Sequence, residues 1–316
     1  MRTALGSIRW LIALVISSVI ASLASAGPAR RLAGSAAAVK IAAMAPADDA
    51  RRAVVIGPSG EVYEPDGKGA WIHRLPSWTA DPVVAAGRAG ASVVAFSDGV
   101  VYRLADNGWS ALRIAQRGKA IMSPGRRALA AVGRQLFTLD PLTRGEPGKL
   151  ALASSNITAI GAGPKAVVIA TETGVFKLDG GKLAALPAAP KRPRLVSDRW
   201  AIVDRGAVDL TTNRITGWPG GLTIGIAATT ADGSLVAIGA GAAGLELVTL
   251  RGGKLARDPL GLSGTAVGIV VDRGGRAVVA LSDGRIALRD PHGWTTTEVS
   301  DETPAEHPGA PPAASP

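Results

Sequence analysis

The stretch ASVVAFSDGVVYRLADNGWSALRI (residues 91–114) is repeated in form by RAVVALSDGRIALRDPHGWTTTEV (residues 276–299). Each copy has an apolar run, an Asp-Gly turn, an alternating run, a second turn and a third run that Gly-Trp opens. Asp-Gly between two such runs is a strong hairpin signal, because both residues accept the positive φ that a tight turn needs. The two copies therefore predict antiparallel units in which consecutive strands pair.

Related copies fill the chain between and before these two, giving seven units of four short strands, labelled A to D from the inside outward. The units span residues 39–76, 82–114, 119–153, 157–188, 193–219, 222–259 and 265–299. Their starts lie 29 to 43 residues apart, which is too close for a helical crossover in every connection. Four strands per repeat is typical of a propeller blade. The sequence therefore predicts an all-β fold, a seven-bladed β-propeller of four-stranded antiparallel blades.

The second run of each unit is the most apolar, as in SVVAF at 92–96 and AVVAL at 277–281. A continuous run of this kind predicts a strand buried on both faces, here between neighbouring blades. The third run alternates, as in VVYRLA at 100–105, which indicates a strand nearer the rim. We expect the ring to close by side-chain packing between blades 1 and 7. The alternative is that residues 29–40 or the C-terminal tail cross the seam.

Two segments, LFTLDPLTRGEPGKL at 136–150 and AVDLTTNRITGW at 207–218, resemble the Leu-Asp-x-x-Thr-Gly turn of quinoprotein-like repeats, although Arg144 and Ile215 break its spacing. The Gly-Trp pairs of DNGW and DPHGW are similar to Asp-box and regulator-type repeats, but the two residues are adjacent here, whereas an Asp box separates them. On these motifs, residues 39–299 resemble the superfamily of seven-bladed propellers that includes YVTN, regulator-type and quinoprotein-like members of bacterial exported proteins. The motifs are generic and identify no single family.

Residues 1–26 predict a cleavable secretory signal peptide. Arg2 and Arg9 precede or flank an apolar run, and Ala24, Ser25 and Ala26 provide small residues for cleavage before Gly27. The protein is therefore predicted to be secreted or periplasmic. An uncleaved N-terminal anchor is the alternative, although the 16 residues from 11 to 26 are fewer than the roughly 20 that a spanning helix needs. Residues 27–38 are predicted to be a linker, and the Pro/Ala-rich residues 301–316 a disordered tail.

The chain is basic, with 35 Lys and Arg against 25 Asp and Glu and a net charge of +10, or +8 without the leader. Its basic residues are scattered, except for KRPR at 191–194, and no basic helix or aromatic-lined groove appears in the pattern. The sequence therefore gives no specific nucleic-acid signal, and it predicts membrane contact only through an uncleaved leader. There is no cysteine, so the core must be stable without disulfides.

Motifs for catalysis and cofactors are sparse. His73, His292 and His307 are isolated, whereas a zinc site needs three or four convergent ligands. Gly239, Gly241 and Gly244 match a dinucleotide fingerprint, but the strand-like LELVTL follows them, so we interpret the motif as an enlarged hairpin turn. We accordingly predict no metal site, no cofactor and no catalytic residue. The six tryptophans beyond the leader are interpreted as packing residues between blades.

Fold geometry suggests where a ligand would bind, because propeller ligands commonly lie at the channel mouth, on the face made by the loops from strand B to C and from strand D to the next A. Those loops also carry Lys191 and Arg192. The predicted ligand-binding face consists of Trp78, Asp98, Arg134, Glu172, Asp204, Arg205, Asp283 and Arg285.

Three function classes remain open on the sequence. The favoured one is an exported, non-enzymatic binding or scaffolding module with an unknown protein or glycan partner in the envelope or extracellular space. The second is a propeller enzyme, a lactonase, lyase or glycan hydrolase with its site at the channel mouth. The third is a quinone-dependent enzyme, for which the expected docking motifs occur in only two blades.

Overall fold

The computed structural model describes residues 39–47, 49–66, 71–75, 82–89, 92–97, 100–105, 108–113, 120–122, 128–139, 148–163 and 166–300. The predicted signal peptide, linker and tail lie outside these residues. Within them the chain forms 28 strands, grouped as seven blades of four antiparallel strands. The seven-bladed β-propeller predicted from the repeats is confirmed.

The strands follow one another in chain order from A to D within each blade. In blades 1 to 3 they are β1 (Ala43–Ala45), β2 (Val54–Ile56), β3 (Val62–Pro65), β4 (Trp71–Leu75), β5 (Ala85–Ala89), β6 (Ser92–Ser97), β7 (Val100–Ala105), β8 (Gly108–Arg113), β9 (Ala120–Met122), β10 (Leu129–Val132), β11 (Gln135–Thr138) and β12 (Gly148–Leu152). A single 3-10 turn, Ala50–Arg52, lies between β1 and β2.

Blades 4 to 7 continue the same pattern. Their strands are β13 (Ile157–Ala162), β14 (Val167–Thr171), β15 (Val175–Asp179), β16 (Lys182–Ala185), β17 (Leu195–Val196), β18 (Trp200–Val203), β19 (Gly206–Asp209), β20 (Ile215–Gly217), β21 (Thr223–Thr229), β22 (Leu235–Gly241), β23 (Gly244–Arg251), β24 (Lys254–Pro259), β25 (Ala266–Val271), β26 (Ala277–Leu281), β27 (Arg285–Asp290) and β28 (Gly293–Ser300).

Strand B is the most deeply buried strand of the blades, as its composition predicts. Every residue of β10, β14 and β26 is buried. Seven apolar clusters lie between the blades, one at each interface, and each contains residues of two neighbouring blades. Burial of apolar surface between blades, on both faces of each sheet, therefore stabilises the ring.

Small residues allow the innermost strands to approach closely around the axis. A Cβ added to Gly161 in blade 4 would lie 2.3 Å from Ser197 Cα in blade 5. At the seam, a Cβ on Gly268 of blade 7 would lie 2.3 Å from Met44 Cβ of blade 1. Real Cβ atoms do not approach other atoms this closely, so these two glycines are needed for the close approach of neighbouring innermost strands rather than for turn geometry.

The seam between blades 7 and 1 is closed by packing and by backbone pairing. Val299 and Ser300 of β28 pair in parallel with Trp71 and Ile72 of β4, so the two blades form one eight-stranded sheet. In addition, Ile41 N donates to Ser282 O at 3.3 Å. The expected packing between blades 1 and 7 is present at the seam, and backbone hydrogen bonds cross the seam as well.

The glycine motif that resembles a dinucleotide fingerprint forms a hairpin. Gly241 pairs with Gly244 across a turn of two residues, so the turn is not enlarged. Instead, β22 and β23 are longer than the equivalent strands of blade 7. Gly244 has a φ of +109° and packs against Leu262 O. The third glycine thus accommodates a close backbone contact, with no helix behind it.

The five tryptophans that the structure describes pack between blades, as interpreted from the sequence, and Trp78 lies outside the described residues. Trp109 of blade 2 is buried and its Nε1 donates to Gly60 O of blade 1 at 2.8 Å. Trp200 of blade 5 donates to Gly233 O of blade 6 at 3.1 Å. Trp294 of blade 7 packs against the cluster that contains Leu245 and Leu260 of blade 6.

Each blade has two ends, which together form an upper and a lower face of the ring. The upper face is formed by the turns between strands B and C and by the connections from strand D to the next strand A. The lower face is formed by the turns between strands A and B and between C and D. Because consecutive strands are antiparallel in every blade, all turns of one kind lie at the same end.

Candidate binding surface

The predicted ligand-binding residues that the structure describes all lie at the upper face, five of them in B–C turns and Arg285 at the first position of strand β27. Arg134 lies between β10 and β11, Glu172 between β14 and β15, and Asp204 and Arg205 between β18 and β19. Asp283 precedes β27, which begins at Arg285. Trp78 and Asp98 lie outside the described residues. The six described residues thus belong to four blades, and their contacts divide them into two groups.

Arg285 is held by groups of its own face. Its guanidinium binds Asp283 Oδ2 through Nη2 and Nε at 2.5 and 3.0 Å, and Nη2 also donates to Ser263 O at 2.6 Å. The hydrogen bond from Arg285 lowers the pKa of Asp283, and the same bond raises the pKa of Arg285. Arg285 therefore joins the B–C turn of blade 7 to the connection that leaves blade 6.

Arg134 and Glu172 have similar linking contacts. Arg134 Nε donates to Ala153 O at 2.9 Å. Glu172 Oε1 accepts a hydrogen bond from Asn156 Nδ2 at 3.3 Å. Both side chains attach a B–C turn to the connection between blades 3 and 4, although both residues are exposed.

Blade 5 differs, because its upper face carries basic side chains without such contacts. Lys191, Arg192 and Arg194 lie in the connection from β16 to β17, and Arg205 lies in the B–C turn; we call these four residues the blade 5 basic cluster. Arg194 Nη1 lies 3.6 Å from Asp204 Oδ1, with both side chains at least half exposed. Within the described residues, no group bonds to the side chains of Lys191, Arg192 or Arg205.

Several arginines of the lower face join blades and turns. Arg88 Nε of blade 2 donates to Pro46 O of blade 1 at 2.5 Å. Arg276 of blade 7 binds Asp272 Oδ2 at 2.7 Å and lies 3.4 Å from Asp49 Oδ1 of blade 1. The sequence reasoning missed these links. The only signal for them is the polar composition of the A–B turns, which does not show where a side chain goes.

The most connected of these arginines is Arg199 of blade 5. It binds Asp209 through Nε and Nη2, the shorter contact being 2.7 Å, and Nη1 donates to Gly233 O of blade 6 at 3.3 Å. Its guanidinium also lies 5.3 Å from the centre of the Trp200 ring, within cation–π range. Arg199 thus links a turn of blade 5 to its neighbour.

Asp209 carries a strongly perturbed pKa that follows from these contacts. Burial alone would raise the pKa of this carboxyl group, but hydrogen bonds from Arg199 and Thr211 outweigh it and lower the pKa to about 2. Thr211 donates to Oδ1 through both its backbone N and its hydroxyl, at 2.9 and 2.6 Å. Asp209 belongs to the segment that resembles a quinoprotein-like turn, and here it caps the C–D turn of the blade.

A shallow depression on the lower face lies between blades 5 and 6. It has a volume of about 230 Å³ and is lined by Arg199, Trp200, Asp232, Gly233, Ser234, Arg251 and Gly252. Asp232 binds Thr230 and Ser234 and lies 3.3 Å from Arg251 Nε. This volume is below the roughly 300–1,000 Å³ of small-molecule pockets, and its charged groups already bind one another.

The described residues include no group of three or more His, Asp or Glu side chains placed to hold a metal ion. His292 is exposed in the turn between β27 and β28, and the side chain of His73 and the whole of His307 lie outside what the structure describes. In the same part of the chain, no helix has the length and apolar composition needed to cross a membrane.

Comparison with known proteins places the chain by its fold. No family model matches the sequence, and no curated protein matches it. The chain is a seven-bladed β-propeller of WD40-like architecture. A structure of YCF48 bound to a D1 peptide is similar with a TM-score of 0.58 and 12% identity, covering 84% of this chain and 95% of that chain.

Other solved propellers are similarly distant in sequence. A streptogramin B lyase is similar with a TM-score of 0.59 and 13% identity, covering 79% of this chain and 93% of that chain. The WD40 β-propeller domain of Doa1 gives a TM-score of 0.52 at 10% identity, covering 78% of this chain and 91% of that chain. At these identities the likeness shows the fold alone, which several functions share.

Proposed function

We propose that the protein is an exported, non-enzymatic binding module that holds a protein partner on its upper face. The observation that carries this proposal is the grouping of basic side chains on the upper face of blade 5. The blade 5 basic cluster brings four basic residues together beside one carboxylate, that of Asp204, whereas Arg88, Arg199 and Arg276 of the lower face bind groups of the ring. Binding modules are common among propellers, and the similar YCF48 structure contains a bound peptide.

Export is the part of the proposal that rests on residues 1–26. Their basic start, apolar run and small residues before Gly27 are the features of a cleavable leader. Cell fractionation with N-terminal sequencing of the isolated protein tests this part. A mature N-terminus at Gly27 in the exported fraction is the expected result, and an intact leader in the cytoplasmic fraction would contradict it.

One arrangement of charged side chains bears on the alternative that the protein is a propeller enzyme. Asp283 and Glu298 both act electrostatically on Arg285, and Glu298 lies opposite Arg285 in the β27–β28 register. However, Arg285 lowers the pKa of Asp283, whereas a general acid or base works best with a pKa near the operating pH. These contacts suit a structural pair, so we favour binding over catalysis.

The absence of cysteine allows a direct test of which face binds a partner. Thr223 at the start of β21 lies on the upper face, and Thr212 in the β19–β20 turn lies on the lower face; both are exposed. Each would be changed to Cys in the full-length chain and coupled to a photo-crosslinker, and the variants would be compared in the exporting host. We expect a discrete protein adduct from Thr223→Cys that Thr212→Cys does not give.

Equal adducts from both positions would indicate non-specific contact and contradict the proposal. Adducts from Thr212→Cys alone would assign binding to the lower face. The same two variants, labelled with a fluorophore, also report by their emission whether either substitution disturbs the fold.

A further inference from the structure

The blade 5 basic cluster forms a continuous track across the top of one blade. Arg194 N donates to Ile202 O at 2.8 Å, which places the connection carrying Lys191 and Arg192 beside the turn carrying Arg205. At the outer edge, Trp218 N donates to Arg205 O at 3.0 Å, and Trp218 Nε1 donates to Val203 O at 3.1 Å. The four basic residues thus lie between the start of the innermost strand and the B–C turn, and Trp218 continues the track to the end of the outermost strand.

This track is held in shape by its own backbone. Pro193 is buried, and Ala189 N donates to Leu186 O at 3.0 Å. Arg192 has a φ of +54°, in the left-handed region that non-glycine residues rarely adopt. Positions held in this region concentrate at sites where the surrounding structure fixes them for function. A ligand of this track would therefore find the backbone that carries the basic groups already ordered, which reduces the entropy lost on binding.

Charge on the track is only partly compensated. Four basic side chains share one described carboxylate, that of Asp204, which lies 3.6 Å from Arg194. Exposed cations held close together repel one another, and an anionic ligand would relieve that repulsion. The dimensions indicate the shape of such a ligand. Four strands spaced by about 4.8 Å span roughly 14 Å, which matches about four residues of extended peptide.

A peptide fits this surface better than a membrane does. Glu172, Asp204 and Asp283 are exposed on the same face, so a flat anionic bilayer would meet carboxylates together with the basic groups. A narrow chain can follow the basic residues and avoid the carboxylates. In the connection between β16 and β17, the exposed apolar residues are the small Pro187 and Ala188, and no large apolar side chain is exposed. Binding to a membrane interface relies on large apolar side chains.

We propose that the blade 5 basic cluster binds an extended acidic segment of a partner protein, a run of about four Asp or Glu residues that crosses the top of blade 5. This inference rests on the proposed function, because it names the chemistry of the partner on the upper face. Charge-assisted contacts from Lys191, Arg192 and Arg205 supply the recognition, and the partly exposed Trp218 forms the outer boundary of the track.

The test uses the full-length protein and a fluorescent peptide containing a run of glutamates, with an otherwise identical glutamine peptide as the reference ligand. Fluorescence anisotropy gives the affinity at about 0.05 and 0.15 M salt, since screening should weaken a charged interaction. We expect the glutamate peptide to bind at least about tenfold more tightly than the glutamine peptide, because several exposed ion pairs distinguish the two.

A triple variant, Lys191→Gln, Arg192→Gln and Arg205→Gln, should lower the affinity for the glutamate peptide about tenfold, the loss expected from three exposed ion pairs. The matched control is Lys182→Gln, Arg214→Gln and Lys254→Gln, which removes the same charge from exposed positions at the lower face. The control should change the affinity by less than about twofold.

Equal weakening in the two triple variants would show that net charge alone attracts the peptide, and it would overturn the proposal. Binding to phosphatidylglycerol vesicles without binding to the glutamate peptide would overturn it in favour of a lipid surface. If the Thr223→Cys adduct forms but neither peptide binds, the proposed function stands and this inference fails. If the Thr223→Cys variant forms no adduct while the glutamate peptide binds the cluster, the result counts against the proposed function and not against this inference.

Discussion

Val299 pairs in parallel with Trp71, and this pairing joins the outermost strand of blade 7 to the outermost strand of blade 1. Both side chains are buried in the cluster at the seam, together with Tyr63 and Val278. The seam therefore has side-chain packing like that of the other six interfaces and backbone pairing as well. Because the pairing joins two sheet edges, backbone groups there are satisfied within the protein.

The seam gives the first prediction. Changing Val299 to Ala should lower the free energy of unfolding by roughly 2 kcal/mol, because two buried carbon groups are lost and a cavity remains. Urea denaturation followed by tryptophan fluorescence measures the change. Val84→Ala is the matched control, since Val84 is 59% exposed, and its effect should stay within about 0.5 kcal/mol. Similar losses from the two variants would contradict the assigned role of the seam.

Contact between innermost strands gives the second prediction. Gly161→Ala should destabilise the protein by about 2–3 kcal/mol, because its Cβ would lie against backbone atoms of blade 5, which cannot move aside as a flexible side chain can. Gly225→Ala is the control, as the nearest atom to its added Cβ is Ile238 O at 3.9 Å. The control should be neutral or slightly stabilising because alanine restricts the unfolded chain. Thermal unfolding monitored by circular dichroism would separate the two, and a stable Gly161→Ala would refute the close approach.

Two tryptophans allow the hydrogen bond between blades 1 and 2 to be measured. Trp109 Nε1 donates to Gly60 O, whereas the buried Trp294 Nε1 has no hydrogen-bond partner in the described part of the chain. Substitution by Phe removes the ring nitrogen in both cases. Trp109→Phe should cost about 1–2 kcal/mol more than Trp294→Phe, because only the former leaves a buried carbonyl group without its donor. Chemical denaturation of both variants measures this difference, and a larger loss of stability in Trp294→Phe would contradict the prediction.

Asp209 predicts how stability depends on pH. Its pKa is about 2 in the folded protein, compared with about 3.9 in an unfolded chain, so the folded state favours the ionised form. The resulting stabilisation is fully present above about pH 4 and is lost as pH falls toward 2, by about 2–3 kcal/mol in total. Equilibrium unfolding between these pH values checks this loss. Asp209→Asn should be less stable at neutral pH and show a flatter profile, and an unchanged profile would contradict the prediction.

The overall fold could be predicted from sequence because local and long-range requirements coincide in each repeat. The apolar run at 277–281 must be strand B, since only a strand buried on both faces needs such composition. Asp283 and Gly284 then set the hairpin, and Gly284 has the expected positive φ of +93°. Each of these assignments depends on residues that lie a few positions apart in the chain, which is the range over which a sequence pattern is informative.

The candidate site could be predicted only in part, because the groups that a side chain binds often belong to a neighbouring blade. The turn positions placed Arg134, Arg205 and Arg285 on one face, but their spacing gave no sign that Ala153 O and Ser263 O bind two of them. The Arg199–Asp209 pair was missed for the same reason. The basic run at 191–194 was visible in the sequence, yet its nearness to Arg205 depends on the pairing of β17 with β18.

Gly284 is also the place where the first and last described segments meet. Its carbonyl accepts a hydrogen bond from Val299 N at 2.9 Å, and a Cβ at this position would lie 2.3 Å from Val39 O. The two segments are therefore near enough to be joined by a short peptide linker. A circularly permuted chain could then open at Gly252 and Gly253, where an added Cβ would meet nothing within 4 Å. The chain termini would then lie in a different blade, while the order of the blades around the ring would stay the same.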